Sequence, residues 1–252
     1  MLWDMGTKFH QNQFISFLRN SNYLIVKPMS GMGLRPITRL PGPKIAVKNL
    51  KTPSELWKFF FDVEMLSKKV ACTNKHINKQ KQNYSRERNT KETDLIELQA
   101  LISLLYLAGV LKSSRLNVNE LWNNNGTGVE QFRLTMSKCR FQFLLQHLRF
   151  DDLDTREERR TTDKLAPIRG IFDSFVEKCN AAYTPFQNVT IDEKLEAFRG
   201  RCSFRQYIPS KPNKYGIKIF AMVDSKTMFA CHLEVYVGLQ PQGPYAVDNS
   251  PS

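Results

Sequence analysis

The chain has 252 residues, 41% hydrophobic and 11% aromatic, enough to bury a sizeable core as one large domain or two smaller ones, which excludes a disordered tail. Its formal net charge is +13, and two stretches supply the excess: residues 1–51 hold eight Lys/Arg against one Asp, and residues 66–92 hold eight against two Glu. Such a field favours a polyanion such as DNA or RNA, bound strongly at low salt and weakly at high salt, although a merely basic surface gives the same count.

Residues 1–51 carry Pro28, Gly31, Gly33, Pro36, Pro41, Gly42 and Pro43 among scattered aromatics and read as a basic, poorly ordered arm without a motif. Residues 1–6 lack the basic start of a signal peptide, and residues 14–26 are broken by Arg19, Asn20, Ser21 and Asn22, so the expected location is inside the cell, in the nucleus. Thr52-Pro53-Ser54-Glu55 then sets an N-cap with Pro first in the helix and Glu third, and Leu56, Phe59, Phe60 and Val63 follow at helical spacing. One helix is expected over 52–74.

The basic stretch 75–91 reads as an inter-helix loop, a second phosphate contact or a nuclear-import signal. Residues 94–111 crowd Leu95, Leu98, Ile102, Leu105 and Leu107 onto nearly every face, which predicts a core helix. Its apolar run 100–111 is shorter than the roughly 20 residues a membrane span needs, so no membrane is expected as a partner. Asn123-Asn124-Asn125-Gly126 marks a turn, and 137–150 is amphipathic, with Phe141, Leu144, Leu145 and Leu148 opposite Arg140 and Gln146. A charged linker, 151–160, precedes one more helix over 164–183, built on Ile168, Ile171, Phe172, Phe175 and Val176 and ended by Thr184-Pro185.

Beyond Pro185 the period changes from helix to strand, and three strands are expected over 189–198, 216–224 and 228–237, an antiparallel meander at the edge of a larger fold. Five cysteines, at 72, 139, 179, 202 and 231, form no CxxC pair and read as reduced packing residues rather than a disulfide framework or a zinc module. On the first strand, alternation sends Asp192 and Glu193 to opposite faces, so only one can line a site; Glu193 is expected to pair with a Lys or Arg. From 199 to 218 stand Arg199, Arg201, Arg205, Lys211, Lys214 and Lys218 with no acidic residue, interleaved with Phe198, Phe204, Tyr207 and Tyr215. Such a loop contacts phosphates while its aromatics pack or stack, or else the aromatics are core and the cations a solvated rim.

Lys164-Leu165-Ala166-Pro167-Ile168-Arg169, Thr190-Ile191-Asp192-Glu193, Phe198-Arg199-Gly200-Arg201-Cys202, Tyr207-Ile208-Pro209-Ser210-Lys211-Pro212 and Lys214-Tyr215-Gly216-Ile217-Lys218 closely resemble, in order and spacing, the piggyBac family of transposases. The resemblance runs from 52 to 252 and leaves 1–51 outside. It implies an α+β chain: a helical domain over 52–185, then over 186–252 the first three antiparallel strands of an incomplete ribonuclease H-like catalytic domain. In that family three carboxylates hold two divalent metals for DNA strand cleavage and transfer, and the resemblance gives Asp192 the first of these roles. In-line attack on a phosphodiester needs two hard cations about 4 Å apart, and oxygen ligation suits Mg²⁺.

The family's second and third carboxylates lie further along than Asn249-Ser250-Pro251-Ser252, where this chain ends. Asp248 lies among prolines, and Asp163, Asp173 and Asp224 have structural readings, so none is expected to replace them. The family's zinc-binding tail is not in the sequence, and no zinc is expected. The leading expectation is a truncated transposase-derived protein that binds DNA nonspecifically, without a small-molecule substrate or strand transfer of its own. The alternatives are the front of a full transposase, in which Asp192 works with later carboxylates, and a fragment that pairs with a full-length relative or a second copy. In either truncated form Val189 and Ile191 would lie on an exposed strand edge.

Overall fold

The computed structural model describes residues 40–85, 90–113 and 116–245. They divide into two compact units, one formed by Val63–Arg159 and the other by the described residues before and after that stretch.

The chain enters through part of the Pro/Gly-punctuated segment, which is ordered into elements from residue 42. Gly42–Pro43 (β1) pairs antiparallel with Tyr183–Thr184, and the Lys44 N–H donates to the Ala182 carbonyl at 2.8 Å. A helical turn, Ile45–Lys48 (α1), buries Val47. Pro53–Phe60 (α2) opens with the capping box written into its sequence: Thr52 Oγ1 accepts the Glu55 N–H at 3.2 Å, and Glu55 Oε2 accepts the Thr52 N–H at 3.0 Å. The Thr52 and Lys51 N–H groups, both donating to Oε2, hold the Glu55 carboxyl below its ordinary range.

The single helix expected over 52–74 is in fact two, because Phe61 leaves the helical region at φ −120° and ψ 75°. Asp62 pairs with Lys178, and a new helix, Val63–Gln80 (α3), begins in the other unit. The apolar period continues through the break, but Phe59 and Phe60 pack with Val47, Ala182, Tyr183 and Cys231, whereas Leu66 and Ile77 enter the helical core.

In the helical unit α3 is followed by Leu95–Val110 (α4), Val118–Leu121 (α5), Glu130–Thr135 (α6) and Lys138–His147 (α7). Asp94 caps α4 by accepting the Glu97 N–H at 2.8 Å, and Ser137 caps α7 through the Arg140 N–H at 3.3 Å. Ile77, Leu101, Phe132 and Leu144 are fully buried, and Trp122 lies against both Phe132 and Phe141 with its indole N–H on the Met136 carbonyl. Arg140 leaves the solvent side expected for it and ties the start of α4: it grips Glu97 at 2.7 and 2.6 Å and the carbonyls of Lys91 and Glu92 at 2.7 and 3.1 Å. Lys75 and Lys79, from the basic stretch, lie on α3 and pair with Asp152 and Asp154 of the charged linker, which itself contains a short helix, Arg156–Arg160 (α8).

The other unit continues with Arg169–Ala182 (α9) and then Tyr183–Thr184 (β2), Val189–Ala197 (β3), Gln206–Tyr207 (β4), Tyr215–Asp224 (β5) and Ala230–Val235 (β6). β5 is central: β3 lies along one side, β4 and β6 along the other, all antiparallel. This is the expected meander, with β4 added. One face of β5 buries Ile217, Ile219, Ala221 and Val223; Ile217 and Ile219 pack with Leu165, Phe198, Phe204, Val235 and Val237, and α9 packs on β6. β3 has no strand on its outer edge among the described residues, and Ile191 is 51% exposed there. No described helix is long and apolar enough to cross a membrane. Cys179 and Cys231 are buried, and burial pushes the Cys179 thiol up to about 12.

Candidate nucleic-acid interface

Alternation along β3 divides its charged residues between the two faces of the sheet. Asp192 stands opposite Ala221, so it shares the buried-side face with Thr190, Lys194 and Glu196, while Glu193 stands opposite Phe220 on the other. Glu193 pairs with Lys218 at 2.5 Å, on the face turned away from Asp192. Glu196 is almost wholly buried; burial pushes its carboxyl up, and Lys194 at 3.0 Å opposes this. Asp192 is half-buried, accepts the Glu193 N–H on Oδ1 at 2.7 Å, and makes no ion pair among the described residues.

The divalent metal that the resemblance implies can be tested against this donor set. Glu193 and Glu196 are engaged by lysines, one on the opposite face and one four residues along the strand, and no group of three His, Cys, Asp or Glu side chains among the described residues is placed to hold a metal ion. The residues described here do not by themselves make a two-metal centre. The other carboxylates serve local structure. Asp224, fully buried, would be raised by desolvation, but the N–H groups of Phe186, Lys226 and Thr227 hold it below the ordinary range while closing the β5–β6 turn. Asp163 is clamped by Arg169 at 2.7 and 2.8 Å, and Asp173 lies 3.5 Å from the same guanidinium. Asp248 lies outside the described residues.

The basic loop between β3 and β5 separates its aromatics into two kinds. Phe198 and Phe204 are core, but Tyr207 and Tyr215 are cross-strand partners on β4 and β5, 54% and 51% exposed, with ring centroids 4.7 Å apart. Two glycines let the loop fold tightly. A Cβ on Gly200 would meet the Phe198 ring at 2.5 Å, and one on Gly216 would meet the Glu196 carbonyl oxygen at 2.2 Å.

The six cations are not equivalent. Arg205 donates to the carbonyls of Arg199 and Gly200 at 3.2 and 3.1 Å and lies 5.4 Å from the Tyr215 ring centre, so it braces the loop. Lys218 is held by Glu193 and lies over Phe220 and Tyr236. Arg199, Arg201 and Lys214 are exposed and Lys211 is half-buried, and none of these four has a carboxylate partner among the described residues. The arrangement presents unpaired positive charge beside exposed rings, which is the donor set for phosphates and bases.

Sequence reasoning missed that Gln240 completes the Asp163 clamp, at 3.1 Å, and that Tyr207 faces Tyr215. Nothing local signalled either contact: Gln240 lies 77 residues from Asp163, and the tyrosine pair depends on strand register.

The sequence family described as Transposase IS4 matches residues 52–250. A cryo-EM structure of a piggyBac transposase synaptic complex with hairpin DNA is similar at TM-score 0.74 and 35% identity, over 82% of this chain and 43% of that one. The chain therefore spans less than half the length of that transposase.

Proposed function

From the membership of this chain in the piggyBac-type Transposase IS4 family, we propose that it binds DNA through the β3–β5 loop, contacting phosphates with Arg199, Arg201, Lys211 and Lys214 and largely ignoring sequence. The observation that carries this reading is the set of four loop cations without carboxylate partners among the described residues, in the same loop as an exposed tyrosine pair. Phosphate contacts fix position but carry no sequence information, so unrelated duplexes should bind alike. Arg205 and Lys218, engaged within the fold, support the loop's shape and contribute less. The test compares wild-type protein with a variant in which all four are changed to Gln, at low salt. Loss of binding with an unchanged circular dichroism spectrum is expected; a variant that binds as well as wild type overturns the reading.

A second reading concerns Asp192, the β3 carboxylate without an ion-pair partner among the described residues. In this reading it is one metal ligand of a strand-cleaving centre whose other carboxylates come from outside the described residues. Cleavage of DNA with Mg²⁺ or Mn²⁺ that disappears in Asp192→Ala would support it. Cleavage unaffected by that change would refute a ligand role.

A further inference from the structure

We infer that Tyr207, backed by Tyr215, is a stacking platform for an unpaired DNA base, so that this loop prefers single-stranded or locally opened DNA to intact duplex. The inference rests on the DNA-binding reading above and names the form of DNA that the same surface takes.

A single exposed tyrosine needs no explanation. Here two lie side by side on paired strands, each about half exposed, with rings 4.7 Å apart and tilted by 39°. Register fixes them: Tyr207 is the Cα partner of Tyr215, and the next bonds outward, Ile208 N–H to the Lys214 carbonyl at 2.8 Å, close the hairpin beyond them. Arg205 lies over Tyr215 and is anchored to backbone carbonyls, so Tyr215 carries a cation as well as its ring partner, whereas the more exposed Tyr207 has Tyr215 as its ring contact among the described residues.

The contact between the rings restrains both side chains, so a base that stacks on them gains contact at a lower ordering cost than on a lone surface tyrosine. Bases in an intact duplex are stacked on one another and present only their edges, whereas an unpaired base offers a free π-face. Lys211 lies within the loop that closes this hairpin and Lys214 at its base, where they can follow the strand that carries such a base.

The test measures binding of labelled oligothymidine and of a random-sequence duplex by fluorescence anisotropy. Tyr207→Leu should weaken oligothymidine binding about tenfold, the usual worth of one stacked base, and leave duplex binding and the salt slope unchanged. Tyr207→Phe, which keeps the ring, should bind like wild type. If Tyr207→Leu binds oligothymidine like wild type while the four-cation variant loses DNA, the stacking inference fails and the phosphate reading stands. If wild-type protein binds neither DNA at low salt, both fail.

Discussion

Removing the Asp163 carboxylate should be among the most damaging single changes to the sheet-bearing unit. Its Oδ1 accepts the Leu165 N–H at 2.9 Å, Arg169 Nη2 at 2.7 Å and Gln240 Nε2 at 3.1 Å, and its Oδ2 accepts Arg169 Nε at 2.8 Å. The side chain is 4% exposed and that of Arg169 23%. Asp163→Ala therefore leaves a largely desolvated guanidinium with only the longer 3.5 Å contact to Asp173 in place of its two-point clamp, which costs about 3 kcal/mol, the lower end for breaking a buried pair. The orphaned Leu165 and Gln240 donors overlap with that figure rather than adding to it, because all belong to one network. Urea unfolding of Asp163→Ala, Arg169→Met and the double variant measures the effect; the double variant should lose less than the sum of the singles. Desolvation would raise the Asp163 carboxyl, but Arg169 and the other donors hold it below its ordinary value. Its contribution is thus full above the unfolded value of about 3.9 and is lost as pH falls through the lower folded value. The Asp163→Ala protein should show a shallower stability loss on acidification than wild type. A cost under about 1 kcal/mol, or identical acid profiles, would show that the clamp does not hold this unit together.

Gly216→Ala forces a methyl to within 2.2 Å of the Glu196 carbonyl, so the β3–β5 pair must spread; a loss of about 3 kcal/mol is expected by urea unfolding, and a loss under about 1 kcal/mol refutes the close approach. Changing Arg199, Arg201, Lys211 and Lys214 together to Gln should reduce the slope of log affinity for duplex DNA against log salt by about 3.6, whereas Lys218→Gln, already paired with Glu193, should leave it nearly unchanged. Equal slopes for the two variants would show that ion pairing does not rank these cations. Arg140→Ala should cost about 2–3 kcal/mol and speed amide exchange over residues 91–97, where its carbonyl and carboxylate partners lie; unchanged exchange there would assign the network no structural part.

Local chemistry made several elements legible in the sequence. The capping box at Thr52 acts over three residues, and the alternation that separates Asp192 from Glu193 is a property of any strand, whereas the caps at Asp94 and Ser137 emerge only in the structure. Those signals are short-ranged, so they marked the helix start at Thr52, the change of period into the meander and the separation of Asp192 from Glu193, while the register with Ala221 decided which face Asp192 takes. Tertiary structure decided what depends on partners distant in sequence. The break at Phe61 is invisible to helical periodicity because both halves are amphipathic, and only their different cores separate them. Gly42 and Pro43 looked like punctuation until Tyr183 and Thr184 supplied a strand to pair with. The six loop cations are alike in sequence, and which are spent depends on the register that sets Lys218 beside Glu193 and folds Arg205 onto its own loop. Composition supplies the charge, but the antiparallel pairing of β3, β4 and β5 decides which cations are spent in ion pairs or loop contacts and which tyrosines stay exposed among the described residues, because an ion pair or a ring contact needs two residues within a few ångströms and sequence order does not fix that distance.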